Sequence, residues 1–116
     1  MLERITIVTA LALVVLGIPA PAQSSHGSIP YDELPRLGAP DAPVRVVEFV
    51  DFKCPHCRTF ALEIFPQLEK EFIEEGVVAF YHMNFPVIGR DSTTAGEVAA
   101  AIFDLYGADA FWAFQK

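Results

Sequence analysis

The stretch Val44-Arg-Val-Val-Glu-Phe-Val-Asp-Phe-Lys-Cys-Pro-His-Cys57 decides how the rest of this sequence is read. Its first half, Val44 to Val50, is β-branched and mostly apolar, and predicts a strand buried on both faces, as in a parallel sheet. Its second half holds the only two cysteines of the chain, with a proline and a histidine between them. Downstream, Cys57, Phe60, Ala61, Ile64, Leu68 and Phe72 recur at helical spacing, whereas Arg58, Glu63, Glu69 and Glu74 fall on other faces. A helix over 55–75 is expected, kinked at Pro66 by the missing backbone donor and stopped by Gly76. Val77-Val-Ala-Phe-Tyr-His-Met83 then reads as a second strand. Strand, helix and strand at these lengths imply a right-handed crossover between two parallel strands.

Placing the cysteine motif at the strand-to-helix junction makes Cys54 the N-cap, Pro55 the first helical residue, His56 the second and Cys57 the third. Proline suits the first position because its absent N–H would have no helical partner there. The Cys54 sulfur then lies where an N-cap acceptor lies, facing the amides of His56 and Cys57 and the positive end of the helix dipole. Both favour thiolate over thiol, and a protonated His56 adds a nearby cation. Residues three apart at a helix start have Cα atoms about 5–6 Å apart, a separation a disulfide accepts. Cys57 faces the core stripe, so Cys54 is expected to be the accessible sulfur and Cys57 the shielded one. A stabilised thiolate makes the disulfide easier to reduce and makes Cys54 a good leaving group.

Other uses of two cysteines fit less well. A static disulfide would close a very short loop and so constrain the unfolded chain little. A structural zinc site needs about four ligands, and the motif offers two. Covalent haem attachment requires histidine directly after the second cysteine, where Arg58 stands. Glu48, six residues before Cys54, is either a surface acid on an edge strand or a half-buried acid that accepts a proton from Cys57 during exchange. His26 and His82 read as ordinary surface or core residues.

Working outward, Ile5 to Ile18 is a charge-free apolar run behind Met1-Leu-Glu-Arg4, and Pro19-Ala-Pro-Ala22 carries a small-x-small pattern. Residues 1–22 are therefore expected to be a secretory signal peptide cleaved after Ala22. An uncleaved membrane anchor is the alternative, but a spanning helix needs about 20 apolar residues. No cysteine lies near the cleavage point to carry a lipid. Export would place the motif where disulfides persist. The net charge of −7 and the lack of a Lys/Arg cluster argue against nucleic acid and against an anionic membrane surface.

Residues 23–43, rich in Ser, Gly and Pro, read as a linker. Asn84 to Asp91 reads as a loop, and Thr94-x-x-Glu97 resembles a capping box opening a helix through Val98, Ala101, Ile102 and Leu105. Gly107 is expected to end it, and Ala108 to Lys116 to begin another helix. The closely spaced Phe111, Trp112 and Phe114 have no evident partner in the sequence. They are expected to belong to the core of a part beyond this chain, with a hydrophobic docking surface for substrate as the alternative.

Val46 to Cys57 resembles the active-site segment of the DsbA-like thiol–disulfide oxidoreductases, a branch of the thioredoxin fold. Asp41-Ala-Pro43, Phe65-Pro-Gln-Leu68, Asn84-Phe-Pro86, Asp91-Ser92 and Phe111-Trp112 extend the likeness over roughly Gly38 to Lys116. The resemblance implies an α/β, thioredoxin-like fold over residues 44–116, incomplete, as strand–helix–strand with the start of a helical insertion. It implies that Cys54 is the attacking and leaving sulfur, Cys57 the resolving one, His56 in the Pro55-His56 pair the tuning residue, and Glu48 the buried acid. It further implies a periplasmic or extracytoplasmic monomer that donates disulfides to reduced exported proteins, uses neither cofactor nor metal, and is reoxidised by a membrane quinone-linked partner. The cis-proline loop, two further strands and final helix of such folds have no counterpart in the sequence, so the chain is expected to match the front portion of a larger protein. A reductase or isomerase on the same scaffold and a non-catalytic fragment or binding module are the alternative functions.

Overall fold

A computed structural model of the chain describes residues 27–116. The expected signal peptide and the first four residues of the expected linker lie outside the described residues. A 3-10 turn at Tyr31–Glu33 leads into β1 (Arg36–Leu37), followed by β2 (Val44–Val50). The span expected to be a linker thus contributes a short strand. Next come α1 (Pro55–Thr59), a π-helical turn at Phe60–Ile64, α2 (Phe65–Leu68) and a second π-helical turn at Glu69–Ile73. β3 (Val78–Asn84) and α3 (Arg90–Gln115) complete the chain. The sheet order is β1-β3-β2. β2 and β3 are parallel, with Glu48 opposite His82, as the strand–helix–strand reading requires. β1 pairs with β3 antiparallel.

The central position of β3 corrects the sequence reading of β2. Val78 to His82 are all buried, whereas β2 is an edge strand of the described sheet, with Val44 and Phe49 about half exposed. The β-branched pattern reports strand propensity, which does not depend on how many neighbours the strand has.

The helical run after the cysteines also departs from its expected register. Ile64 and Phe72, predicted to face the core, are exposed, and their successors Phe65 and Ile73 are buried. Each π turn inserts one extra residue and rotates the downstream side chains by about 100°. The wide turn stands just before Pro66, where an ordinary α turn would push the proline ring against the carbonyl four residues back. The expected kink is therefore taken up as a change of helix type.

α3 begins at Arg90, four residues before the predicted Thr94 box. Ser92 organises that start: its amide donates to the Gly89 carbonyl at 3.0 Å and its hydroxyl accepts the Gly89 amide at 3.2 Å. Gly107 breaks the helix as expected, with a φ of 83°. The helix turns Gly96, Ala99 and Phe103 inward and leaves Val98 and Leu105 exposed.

The core corrects the expectation for the C-terminal aromatics. Phe111 and Trp112 are buried against Phe65, Phe80 and His82 of this chain. Trp112 stacks on Phe65 with centroids 6.1 Å apart and planes 5° apart. Phe114 stays partly exposed beside Phe52. The partners are Phe65 on the helical run and Phe80 on β3, which only the folded topology brings beneath the last helix.

Candidate active site

Cys54 caps α1 in extended backbone (φ −77°, ψ 115°), and Pro55 occupies the first turn. The Cys57 amide donates to the Cys54 sulfur at 3.4 Å, and the Arg58 amide donates to the Cys54 carbonyl at 3.1 Å. The Cys54 thiol is held below its ordinary value chiefly by the Cys57 S–H and then the Cys57 amide. Partial burial and the Asp51 charge oppose this, while the His56 amide assists. His56 is exposed, and the contact it makes with the cysteine pair is through its backbone N–H rather than its ring.

Cys57 behaves in the opposite sense. Burial pushes its thiol up, the hydrogen bond to Cys54 adds to this, and a negative charge on Cys54 or on Glu48 acts in the same direction whenever it is present. The Asp51 amide opposes them. Both cysteines are half-buried, so the expected contrast lies less in exposure than in proton affinity. A proton is therefore lost more readily from Cys54 than from Cys57.

Asp51, which sequence reasoning passed over, fixes the loop that carries the motif. One carboxylate oxygen accepts the Lys53 amide at 2.8 Å, and the other accepts the amides of Val87 and Ile88, each at 2.8 Å. Burial raises the Asp51 pKa, but these amides and the Ser92 hydroxyl outweigh it and bring it down to about 2. Its carbonyl also accepts the Cys54 amide at 2.9 Å. The legible signal was an aspartate at a strand end two residues before a turn amide, the usual setting of an Asx turn.

Glu48 lies beneath the pair, in a cleft of about 210 Å³ that is also lined by Asp51, Cys54, Cys57 and Gln115. Its Oε1 accepts the Gln115 side-chain amide at 2.6 Å and lies 3.0 Å from His82 Nδ1. The structure therefore brings Glu48 together with Cys54 and Cys57. It also adds His82, which is buried and whose Nε2 lies 3.0 Å from Asn84 Oδ1. Sequence reasoning treated His82 as an ordinary residue, which is where a lone histidine in a strand is normally placed.

A cysteine pair capping the helix that follows a parallel strand defines the thioredoxin class of fold. A family model described as thioredoxin matches residues 32–116, and the chain belongs to that family. Among curated relatives, the chain is 46% identical over 84 residues to a probable disulfide bond formation protein D of Bacillus cereus, covering 72% of this chain and 38% of the relative. It is 37% identical over 99 residues to the thiol:disulfide interchange protein DsbA of Escherichia coli, covering 80% of this chain and 46% of that protein. The crystal structure of oxidised BdbD from Bacillus subtilis superposes with a TM-score of 0.68 at 41% identity, covering 72% of this chain and 44% of that one. The chain thus spans less than half the length of these relatives.

Proposed function

We propose that this chain carries the redox centre of an exported thiol–disulfide oxidoreductase that donates disulfides to reduced exported proteins. The observation that carries the reading is the Cys57 amide aimed at the Cys54 sulfur at the start of α1. The names of the relatives, disulfide bond formation protein D and thiol:disulfide interchange protein, agree with it. In the oxidised form a substrate thiolate attacks Cys54, the Cys54–Cys57 bond breaks, and Cys57 leaves as the thiolate and takes up a proton. A second substrate thiolate attacks the substrate sulfur of the mixed disulfide and expels Cys54 as thiolate. The substrate loses two electrons and gains a disulfide, while the enzyme is left as the dithiol. Stabilising the Cys54 thiolate favours that last departure and makes the protein the oxidant. A membrane quinone-linked partner restores the disulfide, and the apolar run Ile5 to Ile18 directs the chain outside the cytosol.

The experiment is oxidation of reduced ribonuclease by the purified chain, together with titration of Cys54–Cys57 against glutathione. Stoichiometric oxidation and a potential well above that of cytosolic thiol buffers are expected. A pair that rests reduced in cells, trapped as such by alkylation, would show that the electrons run the other way.

A further inference from the structure

Asn84 bridges the Gly96 carbonyl, which can only accept, and the His82 ring, whose role depends on its tautomer. Its Nδ2 donates to the Gly96 carbonyl at 3.0 Å. A carbonyl cannot donate, so the amide is oriented with Oδ1 toward His82 Nε2, 3.0 Å away. Oδ1 can only accept, so Nε2 must carry a proton. The other ring nitrogen, Nδ1, faces Glu48 Oε1 at 3.0 Å. With Nε2 already protonated, that second contact is a hydrogen bond only if one more proton sits between them, on the ring or on the carboxyl group. Without it, two lone pairs would oppose each other at a histidine that is 1% exposed and walled by the rings of Phe52, Phe111 and Trp112.

We propose that Asn84, anchored on Gly96, locks the His82 tautomer so that the Glu48–His82 pair retains one shared proton and presents no net charge beneath Cys57. His82 is thus a positioning residue acting through Glu48. The consequence for disulfide exchange rests on the function proposed above, whereas the tautomer itself does not. The other charged or titratable groups around the cleft are Asp51 at the end of β2, Cys54, Cys57 and Arg58 on and before α1, and Lys116 beyond α3. A charged Glu48 without its histidine partner would disfavour the Cys57 thiolate, the form in which Cys57 leaves and in which it attacks.

Nitrogen NMR of the full chain labelled in histidine reads the tautomer directly, with the His82 resonances assigned by their loss in His82→Gln. A protonated Nε2 between pH 5 and 8 is expected, and a bare Nε2 would overturn the proposal. Asn84→Leu removes the acceptor and keeps a branched side chain with the same number of heavy atoms. In a Cys54→Ser background Cys57 is the only cysteine, so thiolate absorbance reports on it alone. There, adding Asn84→Leu is expected to shift the Cys57 titration to higher pH, because the proton can move to Nδ1 and leave Glu48 charged beside a neutral ring. An unchanged titration would overturn the proposal. A chain with the locked tautomer but no reversible Cys54–Cys57 couple would instead sink the oxidoreductase reading alone.

Discussion

The amide of Cys57 meets the sulfur of Cys54 at 3.4 Å, so one cysteine supplies both a backbone and a side-chain donor to the other. Cys54 therefore gives up a proton more readily than Cys57. Cys54 collects amides at the helix start, while Cys57 is pushed up by burial.

That inequality predicts which sulfur reacts. In the reduced chain, iodoacetamide at acid pH is expected to label Cys54 and spare Cys57, as peptide mass mapping would read. Cys57→Ser should still exchange with an added disulfide, oxidised glutathione, to form a mixed disulfide at Cys54 with release of glutathione thiolate, but it should complete no dithiol turnover, and Cys54→Ser should form none. Equal labelling of both positions at low pH would contradict the assignment.

Asp51 should make stability depend on acid. Its carboxyl is held at about 2, below the ordinary value of 3.8, so the folded state prefers the ionised form. The stabilisation is fully present above the unfolded value and is lost as pH falls through the folded one. Urea unfolding is expected to find Asp51→Ala less stable than the parent at pH 7, with the gap narrowing between pH 4 and 2. A gap that does not change with pH would show that the amides of Val87 and Ile88 do not depend on the charge.

The aromatic core ranks two substitutions. Phe111 is fully buried, and Phe111→Ala is expected to cost about 3–5 kcal/mol in chemical denaturation. Trp112 is also buried, but its Nε1 has no hydrogen-bond partner among the described residues, so Trp112→Phe forfeits none. A smaller cost than that of Phe111→Ala is expected there, because the ring is shortened rather than removed.

Two glycines with positive φ should respond differently to alanine. At Gly38 (φ +86°) an added Cβ would stand 2.5 Å from the Val78 carbonyl oxygen, whereas at Gly76 (φ +75°) it would meet nothing within 4 Å. Gly76→Ala should cost only the left-handed backbone penalty, about 1–2 kcal/mol. Gly38→Ala should cost clearly more, because the backbone of β3 must move. Thermal melts of the two variants test the order.

The elements legible in advance were those whose causes lie within a few residues. The N-cap cysteine, the proline after it, the β-branched run of β2 and the stop at Gly107 each act through neighbours one to four positions away, and so they appear in the pattern itself. The two π turns were not legible in this way. The helical spacing around Pro66 is equally compatible with a kinked α-helix, and the choice moved burial from Ile64 and Phe72 to Phe65 and Ile73.

Taken alone, the amino-acid order determined the helix-capping geometry of the cysteine pair and the parallel strand–helix–strand that presents it, because capping and chain direction are local matters. The tertiary structure decided what surrounds the pair. Glu48 meets His82 and Gln115 across 34 and 67 residues of chain, and Asp51 reaches the amides of Val87 and Ile88 across 36 and 37. Such contacts depend on which strand lies in the middle of the sheet and which helix crosses it, and no periodicity in the chain encodes that choice.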